Sequence, residues 1–357
     1  MAAMDNVIRG LMRPSAPPRP YGSSQRATAL TIGRGVRPGS RGEDLLSAYE
    51  RPRWPDGKDF AFTVFDDTDL ATVENAKPVY DLLGVLGFRT TKSVWALKGP
   101  DSPIIGGMTA DDPAYRVWTL ELQAAGFEIG SHGATYHTSP RDLVIRSTDR
   151  FRDIYGHDPV TFANHAGCRE SIYWGVDRVT GPARLAYSLM TRFSRQDMFR
   201  GHREGDPLFW GDICKERVRY VRNFTFANIN TLAACPVMPY YDPDRQYVNA
   251  WFASSEGADV RAYNQCLAEA NQDRLEAEGG ACIMYTHFAS GFATDGRLDE
   301  RFSALMSRLA RKNGWFVPAG TLLDFLAKGR GLQTIDGRQR SMLERRWLLS
   351  KARIGHS

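Results

Sequence analysis

Cysteine is sparse and unpatterned in this chain of 357 residues: Cys168, Cys214, Cys235, Cys266 and Cys282 are the only five, and no two share a Cys-x-x-Cys spacing. An odd number so arranged argues against a disulfide framework or a zinc ribbon and fits reduced thiols in a cytoplasmic protein. Long apolar runs are lacking too. Residues 1–13 hold no apolar stretch of signal-peptide length, so export by the general secretory route is not expected. No segment reaches the roughly 20 apolar residues of a membrane-spanning helix. The glycine fingerprints of a dinucleotide site and of a phosphate-binding loop are also missing, which argues against a Rossmann enzyme or a P-loop NTPase.

What is present is globular in composition, 42% hydrophobic with 11% aromatic residues, enough for one large core or two modest ones. The net charge of +5 is unevenly spread: residues 1–57 carry +4, residues 329–357 carry +5, and the stretch between carries −4. The basic balance therefore belongs to the two ends, and it does not point to nucleic acid as a partner of the folded body. Residues 1–57, rich in Arg, Pro and Gly and without sustained periodicity, read as a flexible arm. Residues 329–357 read as a partly ordered basic tail. Leu343, Trp347 and Ile354 share one helical face while Met342 and Leu349 lie on the other, so a membrane-surface helix is not preferred. Peripheral membrane contact through the basic ends stays open.

Residues 58–328 alternate strand and helix. Asp59 to Val64 reads as a buried strand. Thr72 to Leu86 places Val79, Leu82, Leu83 and Leu86 on one helical face and closes at Gly87. Further strands are expected at Thr90 to Leu97, Phe127 to His132, Val160 to Asn164, Arg217 to Val221, Ala281 to His287 and Trp315 to Pro318. Helices fall between several of them, one opened by Ser139, Pro140 and Asp142. Such alternation implies a parallel sheet, and about seven repeats suit a closed α/β barrel as well as an open doubly wound sheet. In either, chemistry belongs at the C-terminal strand ends.

Three strand ends carry unusual residues. The first leads into Phe65-Asp66-Asp67-Thr68-Asp69, a run that by itself is also explained as a solvated turn with Asp69 or Thr72 capping the next helix. The third ends at His132, with His137 five residues on, and the late strand ends at Thr286-His287. One such histidine is ordinarily a packed residue; a carboxylate pair with three of them favours a shared site. His132 and His137 would lie about 140° apart on a helix, so they must act from a loop, which Gly133 and Ala134 keep compact. One carboxylate and two imidazoles with open positions suit zinc or a similar first-row ion rather than calcium or magnesium.

In order and context these residues resemble the polysaccharide deacetylase family, the NodB-like deacetylases. Its first motif, a strand ending in Thr-Phe-Asp-Asp-Gly, is matched by Val64-Phe65-Asp66-Asp67-Thr68. Its second is matched by Glu128-Ile129-Gly130-Ser131-His132 followed by His137, and its late strand ending in His by Ile283 to His287. The resemblance implies a (β/α) barrel, complete or distorted, with Asp66 as base, Asp67, His132 and His137 holding one divalent transition metal, zinc for preference, and His287 as acid. It implies metal-assisted removal of an acetyl group from an N-acetylated saccharide.

The sequence departs from the family in three places. Thr68 stands for Gly, four residues rather than three separate the histidines, and the Arg-Pro-rich third motif is replaced by Phe162-Ala163-Asn164-His165-Ala166-Gly167. Asn164 and His165 are candidates to substitute there, Asp212 is a further pocket candidate, and Trp174 and Trp210 are candidates to stack on sugar rings. Two other readings remain: hydrolysis of another small-molecule amide, and a non-catalytic glycan-binding or scaffold member of the same fold.

Overall fold

The structure is a computed structural model, and it describes residues 51–354 except 101, 102, 104 and 195. In chain order these form β1 (Phe60–Asp66), α1 (Val73–Val85), β2 (Thr91–Val94), α2 (Pro113–Ala124), β3 (Glu128–Ser131), α3 (Arg141–Tyr155), β4 (Thr161–Phe162), α4 (Gly181–Met190), α5 (Gly211–Arg217), β5 (Tyr220–Phe226), α6 (Thr231–Ala234), β6 (Tyr240–Tyr241) and β7 (Ala250–Ser255). The chain continues as α7 (Val260–Cys266), α8 (Glu269–Glu278), β8 (Ala281–Thr286), the hairpin β9 (Ala293–Thr294) and β10 (Arg297–Leu298), α9 (Glu300–Ala310), β11 (Gly314–Trp315), α10 (Ala319–Arg330), β12 (Gln333–Thr334) and α11 (Gly337–Ile354).

Seven strands close into a parallel ring in the order β1, β2, β3, β4, β5, β7, β8. β8 returns to β1 in continuous register from Ala61 opposite Ala281 to Asp66 opposite Thr286. The expected α/β barrel is thus present and closed. The strand expected from Trp315 is short and pairs with β1 outside the ring, while β7, which the sequence reading did not identify, supplies the sixth stave. β6 lies antiparallel to β7, and β12 extends it.

Strand alternation sorts β1 between two cores. Ala61 and Phe65 join the core that includes Phe162, Val221, Phe252 and Ile283, whereas Phe60, Phe62 and Val64 pack with Val79, Tyr80 and Leu83 of α1. The helices are laid on by the same logic. α9 buries Phe302, Leu305, Met306 and Leu309, spaced 0, 3, 4 and 7 along one face, each contributing about 1.5–3 kcal/mol of transfer free energy. α1 begins at a reciprocal cap between Thr72 and Asn75, which leaves Asp69 without a capping duty.

Both expected ends need correction where they are described. Residues 1–50 lie outside the described residues, but Trp54 belongs to the core: it packs on Trp315 and Phe325 and donates from Nε1 to the Gly279 carbonyl at 3.0 Å. The C-terminal segment is no tail. Leu343 and Trp347 of α11 are buried, with Trp347 against Tyr187 and Phe224. Arg340 binds Asp242, and Glu344 accepts from the Thr180 amide at 3.0 Å. The apolar face read from the sequence was wide enough to be absorbed by the barrel, and part of the basic charge is neutralised there.

Candidate active site

The unusual residues meet above the C-terminal ends of the ring strands. β1 runs on through Asp67, whose amide still bonds the Thr286 carbonyl at 2.8 Å, and the chain then turns through Thr68 to Asp69. β3 runs on to His132, whose amide bonds Val94. β4 delivers Asn164 and His165, β5 Arg222, and β8 Tyr285 and His287. Asp67, Asp69, His132, Asn164, His165, Trp174, Arg178, Arg222, Thr225, Tyr285 and His287 border one cavity of about 70 Å³.

Asp69 is its centre. One carboxylate oxygen lies 2.9 Å from His132 Nε2 and the other 2.8 Å from His165 Nε2, while His287 Nε2 is 3.5 Å away. Asp69, His132 and His165 form one group with metal-ligand spacing, and Asp67, Asp69 and His287 form a second. The first fits a metal by a further test. Asp69 Oδ2 and His132 Nδ1 are buried with no aligned hydrogen bond among the described residues, although His132 Nε2 is close to that oxygen. Buried donor atoms held this close without aligned hydrogen bonds fit a shared cation. A carboxylate with two imidazoles is a donor set for zinc or a neighbouring first-row ion.

The charges in the cleft are set by contact. Burial opposes ionisation of Asp69, yet His132 and His165 outweigh it and hold its carboxyl well below the usual range. Burial likewise disfavours the His287 imidazolium, but Asp69 and Asp67 raise it to about 9. His287 Nδ1–H donates to the Ala258 carbonyl at 2.8 Å, which fixes the ring and turns Nε2 toward Asp69 and the Tyr285 hydroxyl. Asp67 is gripped by the two terminal guanidinium nitrogens of Arg222, Nη1 and Nη2, at 2.9 and 2.5 Å. Arg222 stacks on Tyr285 and precedes an irregularity in the β5–β7 pairing, which lets the strand end bend around it.

Several expected site residues lie elsewhere. Asp66 faces the opposite side of β1, fully buried, and accepts from Lys92 at 2.8 Å, Tyr80 at 3.0 Å and the Phe288 amide at 2.8 Å. A strand side chain one residue before Asp67 must point away from the cleft, so Asp66, the expected base, lies outside it. His137 is outside the group, its Nε2 3.1 Å from the Pro100 carbonyl. Thr135 Oγ1 accepts from the His137 amide and donates to its carbonyl, folding the loop away. His165 takes the place expected of it. Asp212 forms a surface pair with Arg141. Asn164 borders the cleft, but its amide group is engaged with both backbone groups of Ile172, clamping the loop that carries His165.

The two tryptophans do not offer ring faces to a ligand. Arg178 covers Trp174 with its guanidinium 3.1 Å from the ring centroid, and Trp210 is buried, donating to the Glu170 carbonyl at 2.6 Å. Asp69 and Arg222 were not among the expected site residues. A lone Arg in the otherwise strand-like Tyr220 to Phe226 was the available signal for the second.

No family model and no curated protein matches the chain. Solved structures do. A PuuE allantoinase shares 14% identity at a TM-score of 0.48, with 83% of this chain and 100% of that chain covered. A Mycobacterium smegmatis protein assigned to the polysaccharide deacetylases shares 12% at 0.44, covering 79% and 96%. The peptidoglycan deacetylase PdaC from Bacillus subtilis shares 13% at 0.36, covering 82% and 98%. Proteins named as deacetylases are thus among the solved structures to which this chain is similar.

Proposed function

We propose that this chain is a metal-dependent hydrolase of an amide C–N bond, acting as a deacetylase on an N-acetylated sugar. The observation that carries the reading is the grouping of Asp69, His132 and His165 beside an Arg222-anchored Asp67 and a cationic His287. Asp69, His132 and His165 are the residues that would hold the ion. When bound there it supplies a Lewis acid for the scissile carbonyl and makes water more acidic.

The remaining work is done by the chain. Asp67, held by two hydrogen bonds from Arg222, receives the proton of the attacking water. His287 carries the proton that the departing amine needs, presented from Nε2 because Nδ1 is tied to Ala258. Tyr285, 3.4 Å from that nitrogen, limits how the ring can swing. Retaining all five groups in one cleft is unnecessary for a scaffold, which weighs against a non-catalytic role.

A second reading, hydrolysis of a small-molecule amide other than an N-acetyl sugar, is favoured by one observation: both candidate stacking tryptophans are covered or buried. The test is acetate release from N-acetylated mono- and oligosaccharides by metal-supplemented protein, run beside a panel of small amides. Acetate released by wild type and abolished in Asp67→Asn, with metal retained, supports the first reading. Turnover confined to other amides replaces the substrate class, and no turnover of any amide by metal-loaded protein removes the enzymatic reading.

A further inference from the structure

α4 is a helix with its apolar side turned the wrong way for a core. Tyr187 and Ser188 are its buried residues, yet Leu185 and Leu189, each two positions from Tyr187 and so roughly 160° around the helix, are both 59% exposed. Met190, on an adjoining face, and Phe193, just past the helix end, are also exposed, at 46% and 49%. Alongside it lies α11, joined through Tyr187 on Trp347 and Thr180 on Glu344, and α11 in turn exposes Leu349 at 58%.

The charge on the two helices beside this stripe is predominantly basic. α4 contains no acidic residue, and the single acid of α11, Glu344, is buried against Thr180 and Arg245. Arg192, Arg338 and Arg345 are exposed. Of the neighbouring acids, Asp177 is paired with Arg184, Asp197 with Arg203, and Asp336 accepts from the amides that open α11. A second copy of the chain meeting this face symmetrically would bring arginine against arginine, which disfavours a dimer here. Apolar side chains half-exposed among unopposed arginines suit an anionic lipid surface, with leucines in the acyl boundary and guanidinium groups among phosphates.

We infer that α4 and the outer face of α11 form a peripheral docking surface for anionic membranes. The inference does not depend on the reaction catalysed.

The full chain is floated with phosphatidylcholine vesicles with and without phosphatidylserine. Wild type is expected to float with the anionic vesicles, to release in high salt, and to float weakly with phosphatidylcholine alone. Leu185→Glu/Leu189→Glu/Phe193→Glu removes only half-exposed side chains, so it should fold, checked by its melting curve. It should lower the bound fraction about tenfold or more. A triple variant that floats like wild type would assign lipid binding to another part of the chain and overturn the inference, as would a wild type that does not float. A dimer in solution that dissociates in the triple variant would give the face to a second copy instead.

Discussion

Asp66 and Asp67 are adjacent, both buried and both paired with a cation, and substituting each by Asn separates stability from chemistry. Asp66 lies 2.8 Å from Lys92 Nζ with both side chains buried. At an effective dielectric of about 20 that separation is worth roughly 6 kcal/mol of gross attraction, and deleting one partner of such a pair typically costs about 3–5 kcal/mol because the other is left buried and uncompensated. Asp66→Asn should therefore lower the melting temperature by roughly 6–15 °C. Asp67→Asn strands Arg222 in the same way and should fall in the same range. The difference is in turnover, measured well below both transitions on metal-loaded protein. Asp66→Asn should keep kcat within about threefold, since its carboxyl faces α1, whereas Asp67→Asn should lose about 10²- to 10⁴-fold. A folded, metal-loaded Asp66→Asn that is inactive while Asp67→Asn turns over normally would refute the displaced assignment. An Asp66→Asn that melts with wild type would refute the energetic argument.

The other predictions concern metal, pH and the C-terminal helix. Elemental analysis should find that His165→Ala loses a transition metal that His137→Ala retains; equal retention in both would remove His165 from the ligand set. Burial raises the Glu170 carboxyl to about 7 from an ordinary 4.5, so the native state holds this proton more tightly than the unfolded chain. The stabilisation it gives is full below about pH 4.5 and is lost as pH rises through 7, on the order of 3 kcal/mol. Urea midpoints at about pH 5 and 8 should therefore differ less in Glu170→Gln than in wild type, and an unchanged difference would contradict the assignment. Trp347→Ala, which empties a fully buried site between Tyr187 and Phe224, should cost about 3–5 kcal/mol by urea unfolding. A cost under about 1 kcal/mol would mean α11 is loosely held.

How far the sequence can be read here follows from which interactions are local. Strand alternation in β1 and the helical faces of α1 and α9 were legible because neighbours along the chain set them. So was the gathering of Asp67, His132 and His287 at strand ends, since a parallel barrel leaves few other places for such groups. The assignment of Asp66 rather than Asp67 to the cleft came from counting along a motif. The alternation of Phe60, Phe62 and Val64 against Ala61 and Phe65 already divided the strand into two faces, but ring closure decides which is inward. His137 was credited through its spacing from His132, whereas Thr135 bonding to the residue 137 backbone turns it aside. β7 went unrecognised because Ala250 to Ser255 is rich in small residues. The tail was misread because the partner that buries Leu343 and Trp347 lies more than a hundred residues away.

Ring closure through β8 has a consequence for how the molecule is made. β1 leaves a ribosome more than two hundred residues before the strand that completes its pairing, and the Phe288 amide that bonds Asp66 arrives later still. Until then β1 has an open edge, and β7 is flanked on its outer side only by the two-residue β6, so unpaired backbone groups can recruit other chains. Contacts this distant are also slow to form, because the loop entropy is spent before they return any stabilisation. Asp67 and Asp69 thus meet His287 only as the ring shuts, and a chain that stops short of β8 has no closed barrel and lacks the Tyr285 and His287 side of the site.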